Sequence, residues 1–340
     1  MNRGTSRRIA PGWKQKLPDW IREIRFVPGE AELLAALGNG EIWHMDARSG
    51  APITHFLAHK MGVLQMQWQP KGKLLATSGE DGCARIWTAL AADACITLPK
   101  QRGWVEQLAW SPTGKALAIA AGKKVSLWSP TGEPLAECTE ESGTVLAMAW
   151  HPQQDYLIIA HAKGISIRHP DTLELSDIKE ADSAVMSLFW SPNGEYMAGG
   201  CADSSVRFWR YPSFQDSEMP GYPSRPLALA WHPKSWRLAT SGSETPILWD
   251  FTGAGPEGTE PDGFEGLSGT VTALQFDFAG AMFAAASDFG EVLLWDSRNG
   301  QMLSNDTRLS DRITGLLWRT DSRQLLVSSA KGELLSLRLP

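Results

Sequence analysis

The sequence has few cysteines and no excess of positive charge, and each shortage argues against a class of protein. Four cysteines occur among 340 residues, at Cys83, Cys95, Cys138 and Cys201. None forms a CxxC pair, so the spacing argues against a disulfide framework or a cysteine metal site. We interpret them as small buried side chains in a reducing compartment. The net charge of -6 argues against a nucleic-acid partner and against an anionic membrane surface.

Long apolar runs and catalytic signatures are also missing. No stretch approaches the roughly 18 consecutive apolar residues of a membrane helix, and the polar, basic N-terminus lacks the apolar core of a signal peptide. HExxH, GxxxxGK[ST] and GxSxG do not occur. We therefore predict a soluble, cytoplasmic protein, with residues 1–9 as a flexible basic tail and residues 10–340 as one domain.

One short sequence motif recurs along the chain at a nearly constant spacing. It alternates apolar and other residues, ends on an aromatic residue and runs into a turn, as in VLQMQWQPKG from Val63 and VMSLFWSPNG from Val185. Eight copies, 40 to 45 residues apart, indicate a repeat architecture. The terminal aromatic residues are Phe26, Trp68, Trp110, Trp150, Trp190, Trp231, Phe276 and Trp318.

Each repeat unit has the pattern of a small antiparallel sheet. The first strand shows period-2 alternation, and a second apolar strand such as KALAIAA follows a Pro/Gly turn. A third strand ends on an aromatic residue, as in VSLW, and a weaker fourth strand precedes the next unit. Four such strands about every 40 residues are typical of a β-propeller blade.

The chain resembles the WD40-repeat β-propellers over nearly its whole length. The Trp-Asp dipeptide of that family occurs at Trp249 and at Trp295. The second unit also matches the family's structural tetrad position by position, with His59, Thr77, Asp81 and Trp87. The resemblance implies that these four side chains are joined by hydrogen bonds that tie the loops of one face to the strands. No other unit carries all four residue types, so we expect the other blades to depend more on packing.

The number of blades follows from the number of first strands. Eight copies predict eight blades, but the last unit ends at SLRLP with only three strands. The segment from Ala10 to Trp20 aligns with a fourth strand 42 residues later, and it would close the ring as the outer strand of the last blade. The alternative is the commoner seven-bladed ring, with the first unit outside it.

The residue directly before each first strand, here called the lead position, separates two kinds of tryptophan. Trp110 ends a first strand and is predicted to be buried. Trp104 occupies a lead position, which holds Gly62 and Arg225 in other units. A core site would not accept all three residue types, so we expect lead positions to be exposed, although Trp104 could instead pack flat over a neighbouring blade.

In WD40 propellers the lead positions, and the positions two residues further on, surround one mouth of the central channel and contact partners. The resemblance therefore implies a partner-binding ring at this mouth. Its predicted members are Trp20, Arg22, Leu64, Trp104, Glu106, Met186, Arg225 and Arg312.

These observations favour a non-catalytic scaffold that binds protein partners, needs no cofactor or metal and is a monomer by itself. The alternatives are a propeller enzyme that uses carboxylates at the channel mouth, and a propeller that binds a small ligand or a metal. His151 and His232 follow first-strand tryptophans in turns, and we expect them to be solvated. The acidic stretch 252–268 is interpreted as a solvated loop.

Overall fold

Eight four-stranded antiparallel sheets form the protein, which is an eight-bladed β-propeller in the computed structural model. The structure describes residues 9–154, 156–253 and 255–339. The eight-blade prediction is confirmed, and the seven-bladed alternative is wrong, because the first unit forms a complete blade of its own. Residues 1–8 of the predicted tail lie outside the described part of the chain.

The strands follow one another from the inside of each blade to its outer edge. In blades 1 to 4 they are β2 (Ile21–Phe26), β3 (Glu32–Leu37), β4 (Glu41–Asp46), β5 (Pro52–Leu57); β6 (Val63–Trp68), β7 (Leu75–Gly79), β8 (Ala84–Trp87), β9 (Cys95–Thr97); β10 (Gln107–Trp110), β11 (Leu117–Ala121), β12 (Lys124–Trp128), β13 (Pro134–Thr139); β14 (Ala147–Trp150), β15 (Leu157–His161), β16 (Gly164–Arg168), β17 (Leu175–Glu180).

Blades 5 to 8 repeat this order, except that the outer strand of blade 8 is β1 (Ala10–Lys16). The other strands are β18 (Phe189–Trp190), β19 (Tyr196–Gly200), β20 (Val206–Arg210), β21 (Gln215–Met219); β22 (Leu229–Trp231), β23 (Arg237–Thr240), β24 (Ile247–Asp250), β25 (Asp262–Gly263); β26 (Val271–Phe276), β27 (Met282–Ser287), β28 (Glu291–Asp296), β29 (Met302–Arg308); β30 (Ile313–Trp318), β31 (Gln324–Ser329), β32 (Glu333–Arg338).

The hydrophobic core lies between neighbouring blades. Every residue of β7 is buried, because a central strand has a blade packed against each face. Trp110 of blade 3 is 3% exposed and packs in one cluster with Ile86 of blade 2 and Ile119 of its own blade. A single blade could not bury both faces, so stacking in a ring explains why large apolar residues recur in every unit.

Strand β1 closes the ring, as the sequence predicts. It pairs antiparallel with β32, from Ala10 opposite Arg338 to Lys16 opposite Glu333. The Lys14 ammonium lies 2.6 Å from the Glu333 carboxylate. Burial of Glu333 opposes ionisation, but its hydrogen bonds with Lys14 and Ser310 outweigh that effect and hold the pKa of its carboxyl at about 2.

The closing strand also contacts the first blade. The indole nitrogen of Trp13 donates to the carbonyl oxygen of Ala47 at 3.1 Å. Its ring lies against Gly50, where a Cβ atom would sit 2.4 Å from the ring carbons. Trp13 therefore packs against the core of blade 1 while the backbone of β1 pairs with blade 8.

Side chains that follow the first strands link each of three blades to the next one. A Gln or His directly after the aromatic residue donates to the carbonyl of a glycine in the next blade's first turn. The pairs are Gln69 with Gly114 at 2.7 Å, His151 with Gly194 at 3.0 Å and His232 with Gly280 at 2.9 Å. The expected solvation of His151 is wrong, because this bond lies between blades and the side chain is buried. Burial lowers the pKa of both imidazoles.

The recurring tryptophans add a second kind of link. The indole nitrogen of Trp150 donates to the carbonyl of Ala109 at 3.0 Å, and that of Trp231 donates to the carbonyl of Phe189 at 2.9 Å. Each acceptor directly precedes the aromatic residue of the preceding blade. These tryptophans therefore stabilise the ring by hydrogen bonding as well as by packing.

The acidic stretch 252–268 is only partly a solvated loop. Within it, Asp262 and Gly263 form the short outer strand of blade 6. Phe264 and Leu267 follow this strand and are buried in the core between blades 6 and 7. The stretch therefore supplies apolar packing between two blades in addition to its acidic surface.

Candidate functional site

The tetrad residues of blade 2 form one continuous chain of hydrogen bonds. His59 Nδ1 lies 2.9 Å from Asp81 Oδ1, and His59 Nε2 lies 2.8 Å from Thr77 Oγ1. The indole nitrogen of Trp87 donates to the same threonine oxygen at 2.9 Å. These three bonds are satisfied if His59 donates from Nδ1 and the hydroxyl of Thr77 donates to Nε2. Arg85, whose Nη1 lies 2.6 Å from the same Nδ1, then donates to the second oxygen of Asp81 instead. Gly79 leaves space for this ring, since a Cβ atom there would lie 2.3 Å from Nδ1.

Burial and hydrogen bonding set the charges within this chain. Burial lowers the pKa of His59, so the imidazole is neutral at pH 7. Burial alone would raise the pKa of Asp81, but hydrogen bonds from His59 and from the amides of Lys60 and Cys83 reverse that effect. The pKa of Asp81 is therefore well below its usual range, and its carboxylate is ionised. Arg85 pairs with its second oxygen at 3.1 Å.

Blade 6 builds a similar chain with a tyrosine in the place of the histidine. Tyr222 lies four residues before the start of its unit, as His59 does in blade 2. Its hydroxyl lies 2.8 Å from Thr240 Oγ1 and accepts from the indole nitrogen of Trp249 at 2.8 Å. Trp249 pairs with Leu238 as Trp87 pairs with Leu75, so the register is the same.

Blade 4 replaces the tetrad with a charged network. Arg168 pairs with Leu157 in the register that Trp87 occupies in blade 2. Its guanidinium lies 2.7 Å from the Glu140 carboxylate, which also accepts from the hydroxyl of Ser166 at 3.0 Å. That hydroxyl lies 3.1 Å from the Nε2 atom of His161, and burial lowers the pKa of His161.

The residue types of the tetrad do not predict these two networks, because each is built from different residue types. Blades 4 and 6 therefore have polar networks of their own in addition to the packing that the sequence predicts. The distance along the chain from the first strand does indicate the network of blade 6. Tyr222 and Thr240 have the same positions relative to their first strand as His59 and Thr77 have relative to theirs.

The lead positions lie on the face where these networks join the loops. Trp104 is 49% exposed and Trp20 is 39% exposed. Arg225 and Arg312 are also exposed, but Gly62 is buried. A Cβ atom at Gly62 would meet the carboxyl group of Glu80 at 3.1 Å, so the side chain of Glu80 covers this position.

Glu80 connects the exposed residues of blades 1 to 3. It accepts from Arg22 at 2.7 Å, and the guanidinium carbon of Arg22 lies 4.2 Å from the centre of the Trp20 ring. Glu80 also lines a pocket of about 390 Å³ together with Met61 and Trp104. We call the surface formed by Trp20, Arg22, Met61, Glu80 and Trp104 the Trp104 face.

The remaining predicted partner-binding residues divide between the channel and its rim. Leu64 and Met186 line a central cavity of about 780 Å³, which Arg22 of the Trp104 face also borders, whereas Glu106 is exposed. Arg225 and Arg312 belong to blades 6 and 8. The structure thus brings Trp20, Arg22 and Trp104 onto the Trp104 face and places the others elsewhere around the mouth.

The wall of the central cavity is mainly apolar and amide. Among the described residues that line it, the one carboxylate is Glu23, which pairs with Arg25. Gln65 accepts from the backbone amide of Leu108 at 2.8 Å and so bridges neighbouring first strands. Over residues 9–154, 156–253 and 255–339, no three His, Cys, Asp or Glu side chains are grouped to hold a metal ion. No helix in these ranges is long and apolar enough to cross a membrane.

Comparison with known proteins identifies similar sequences over parts of the chain. The profile of the WD domain, G-beta repeat, matches residues 50–88 and 174–210. Protein HIR1 of Cryptococcus neoformans var. neoformans serotype D is 28% identical over 104 residues, 29% of this chain and 12% of that protein. WD repeat and SOCS box-containing protein 1 of Xenopus tropicalis is 33% identical over 110 residues, 31% of this chain and 26% of that protein. The chain thus spans a minor part of each of these relatives.

One solved structure matches almost the whole chain. The computationally designed Ika8 protein superposes with a TM-score of 0.82, covering 96% of this chain and 98% of that chain at 17% sequence identity. At this identity the match concerns the fold alone.

Proposed function

We propose that this chain, which belongs to the WD40-repeat β-propeller family, is a non-catalytic platform that binds a protein partner through the Trp104 face. The observation that carries the proposal is the exposure of Trp104 and Met61, 49% and 48%, side by side at one pocket. Tryptophan, methionine and arginine are enriched at the centres of protein interfaces, and truncation of buried tryptophan anchors there is costly.

The surroundings of Trp104 support this assignment. Arg22 is held between the ring of Trp20 and the carboxylate of Glu80, so this part of the surface is ordered without a partner. A partner would therefore lose little side-chain entropy by binding there. The buried tetrad at Asp81 fixes the loop that forms one side of the same pocket.

The test compares three alanine variants of the full chain. Trp104→Ala should change the free energy of unfolding by no more than about 1 kcal/mol, since its side chain is half exposed. Trp110→Ala should cost about 3–5 kcal/mol, because its side chain is buried between blades. Phe278→Ala is the matched control, with the same 49% exposure in a turn at the other end of its blade.

Partner binding is measured by quantitative capture from the native lysate and then by titration of the captured protein. Trp104→Ala should weaken binding by about 2 kcal/mol or more, whereas Phe278→Ala should leave it unchanged. A partner retained equally by wild type and Trp104→Ala would contradict the proposal. If Trp104→Ala unfolds as readily as Trp110→Ala, then Trp104 is architectural.

The remaining predictions from the sequence belong to this proposal. We propose that the protein is cytoplasmic and monomeric by itself, and that it binds neither nucleic acid nor membranes. We further propose that residues 10–340 act as one domain. Gel filtration coupled to light scattering tests the monomeric state directly.

A further inference from the structure

The pocket beside Trp104 carries an excess of uncompensated positive charge. Lys60, Lys100 and Arg102 line it and are exposed, and none of them forms an ion pair with a carboxylate of the described residues. Two carboxylates also line it, but both are already engaged. Glu80 pairs with Arg22, and Asp81 pairs with Arg85 and bonds with His59.

This local charge is opposite to that of the whole chain. The protein carries a formal net charge of -6, so an acidic partner is repelled by the chain as a whole. Near the pocket the three unpaired cations reverse that effect, because electrostatic interactions at a surface act mainly within about 10 Å at ordinary ionic strength. Complementary charge of this kind directs a partner to one site and sets its orientation.

The apolar part of the pocket lies among the same cations. Met61 and Trp104 are half exposed there, and a methionine thioether can adapt its shape to an incoming side chain. A cavity of about 390 Å³ is small for a folded domain but has room for one large side chain. The lining thus combines an apolar contact surface with three cationic groups.

We propose that this pocket binds an extended segment of the partner in which aspartate or glutamate side chains flank one large apolar side chain. The apolar side chain lies between Met61 and Trp104, and the carboxylates pair with Lys60, Lys100 and Arg102. The inference rests on the proposed function of the Trp104 face and adds the chemistry of the segment that this face selects.

The test selects random 12-residue peptides displayed on phage against the full-length wild-type protein. We expect the enriched peptides to carry net negative charge around a leucine, methionine or aromatic residue. Synthetic copies are then titrated by fluorescence anisotropy against wild type, Trp104→Ala and a charge-reversed variant. A control variant has the same number of changes to glutamate, all at exposed lysines elsewhere. The charge-reversed variant is Lys60→Glu, Lys100→Glu, Arg102→Glu, and its control is Lys73→Glu, Lys115→Glu, Lys234→Glu.

The expected result is that charge reversal at the pocket weakens binding at least tenfold more than the control reversal does. Binding should also weaken steeply as salt is raised, and Trp104→Ala should abolish it. Peptides that depend on Trp104 but are neutral or basic, or that ignore the charge reversal, would overturn the inference while leaving the platform function intact. If no enriched peptide depends on Trp104, both proposals are wrong.

Discussion

Replacing Thr77 with valine should destabilise the protein more than replacing Thr240 with valine, although both threonines are fully buried. Valine has nearly the shape of threonine but lacks the hydroxyl group, so the change removes hydrogen bonds and leaves packing almost intact. The two sites differ in how many buried groups depend on the threonine hydroxyl for a hydrogen bond, and this number sets the loss in the free energy of unfolding.

At Thr77 the hydroxyl is the sole link between two other buried groups. It lies 2.8 Å from His59 Nε2 and 2.9 Å from Trp87 Nε1, and both side chains are 1% exposed. Thr77→Val leaves both nitrogens unpaired. At roughly 1–3 kcal/mol for each buried unpaired group, the cost for the two groups together is about 2–6 kcal/mol.

At Thr240 the loss is smaller, because the indole of Trp249 donates to the hydroxyl of Tyr222 rather than to the threonine. That bond survives the change, and Tyr222 loses one of its two partners. We therefore expect Thr240→Val to cost about 1–2 kcal/mol.

Equilibrium unfolding in guanidinium chloride, followed by far-UV circular dichroism and tryptophan fluorescence, measures both changes. Thr77→Ser is the control at the first site, because it keeps the hydroxyl and loses one methyl group, worth about 0.8 kcal/mol. The reasoning is refuted if Thr77→Val is no more destabilising than Thr77→Ser, or if both valine variants unfold at the same midpoint.

Three further outcomes are expected. Deleting residues 1–16 removes β1 and exposes the edge of β32, so most of the protein should aggregate; a soluble product with an unchanged melting temperature would contradict this closure. Because the pKa of Glu333 is about 2 when folded and 4.5 ordinarily, its contribution to stability is complete above pH 4.5 and disappears as the pH falls through about 2. Glu333→Gln should therefore flatten the acid side of the stability curve in unfolding experiments at pH 2 to 6. Trp150→Phe should cost about 1 kcal/mol more than Trp110→Phe, since Trp150 donates a cross-blade bond and the indole N–H of Trp110 has no partner among the described residues; equal unfolding midpoints would contradict that role.

The architecture could be predicted because it depends on periodicity. The aromatic residues at the ends of the first strands appear every 40 to 45 residues and mark every blade. The outer strand of blade 8 was also predictable, because the segment from Ala10 aligns with the fourth strand of blade 1. Burial of alternate side chains produces this signal directly, and it survives extensive change in the polar residues.

The polar networks were harder to predict, since several residue types can satisfy the same buried groups. Tyr222 takes the place of the histidine in blade 6, and Arg168, paired with Glu140, takes the place of the tryptophan in blade 4. The lead positions show a related difficulty. Gly62 was expected to be exposed like Trp104, yet the side chain of Glu80 covers it. A contact between side chains of different strands leaves no periodic trace in the sequence.

The closing strand sets the order in which the chain can complete its fold. Among the 32 strands described, β1 is synthesised first, but the strand with which it pairs, β32, is synthesised last. Blade 1 can form early, whereas Lys14 finds its partner Glu333 only when the eighth blade exists. The final step therefore joins parts of the chain that are far apart in sequence, and contacts of this kind form slowly. Until then the growing ring has an open edge at each end, so its nascent form needs protection that the finished propeller does not.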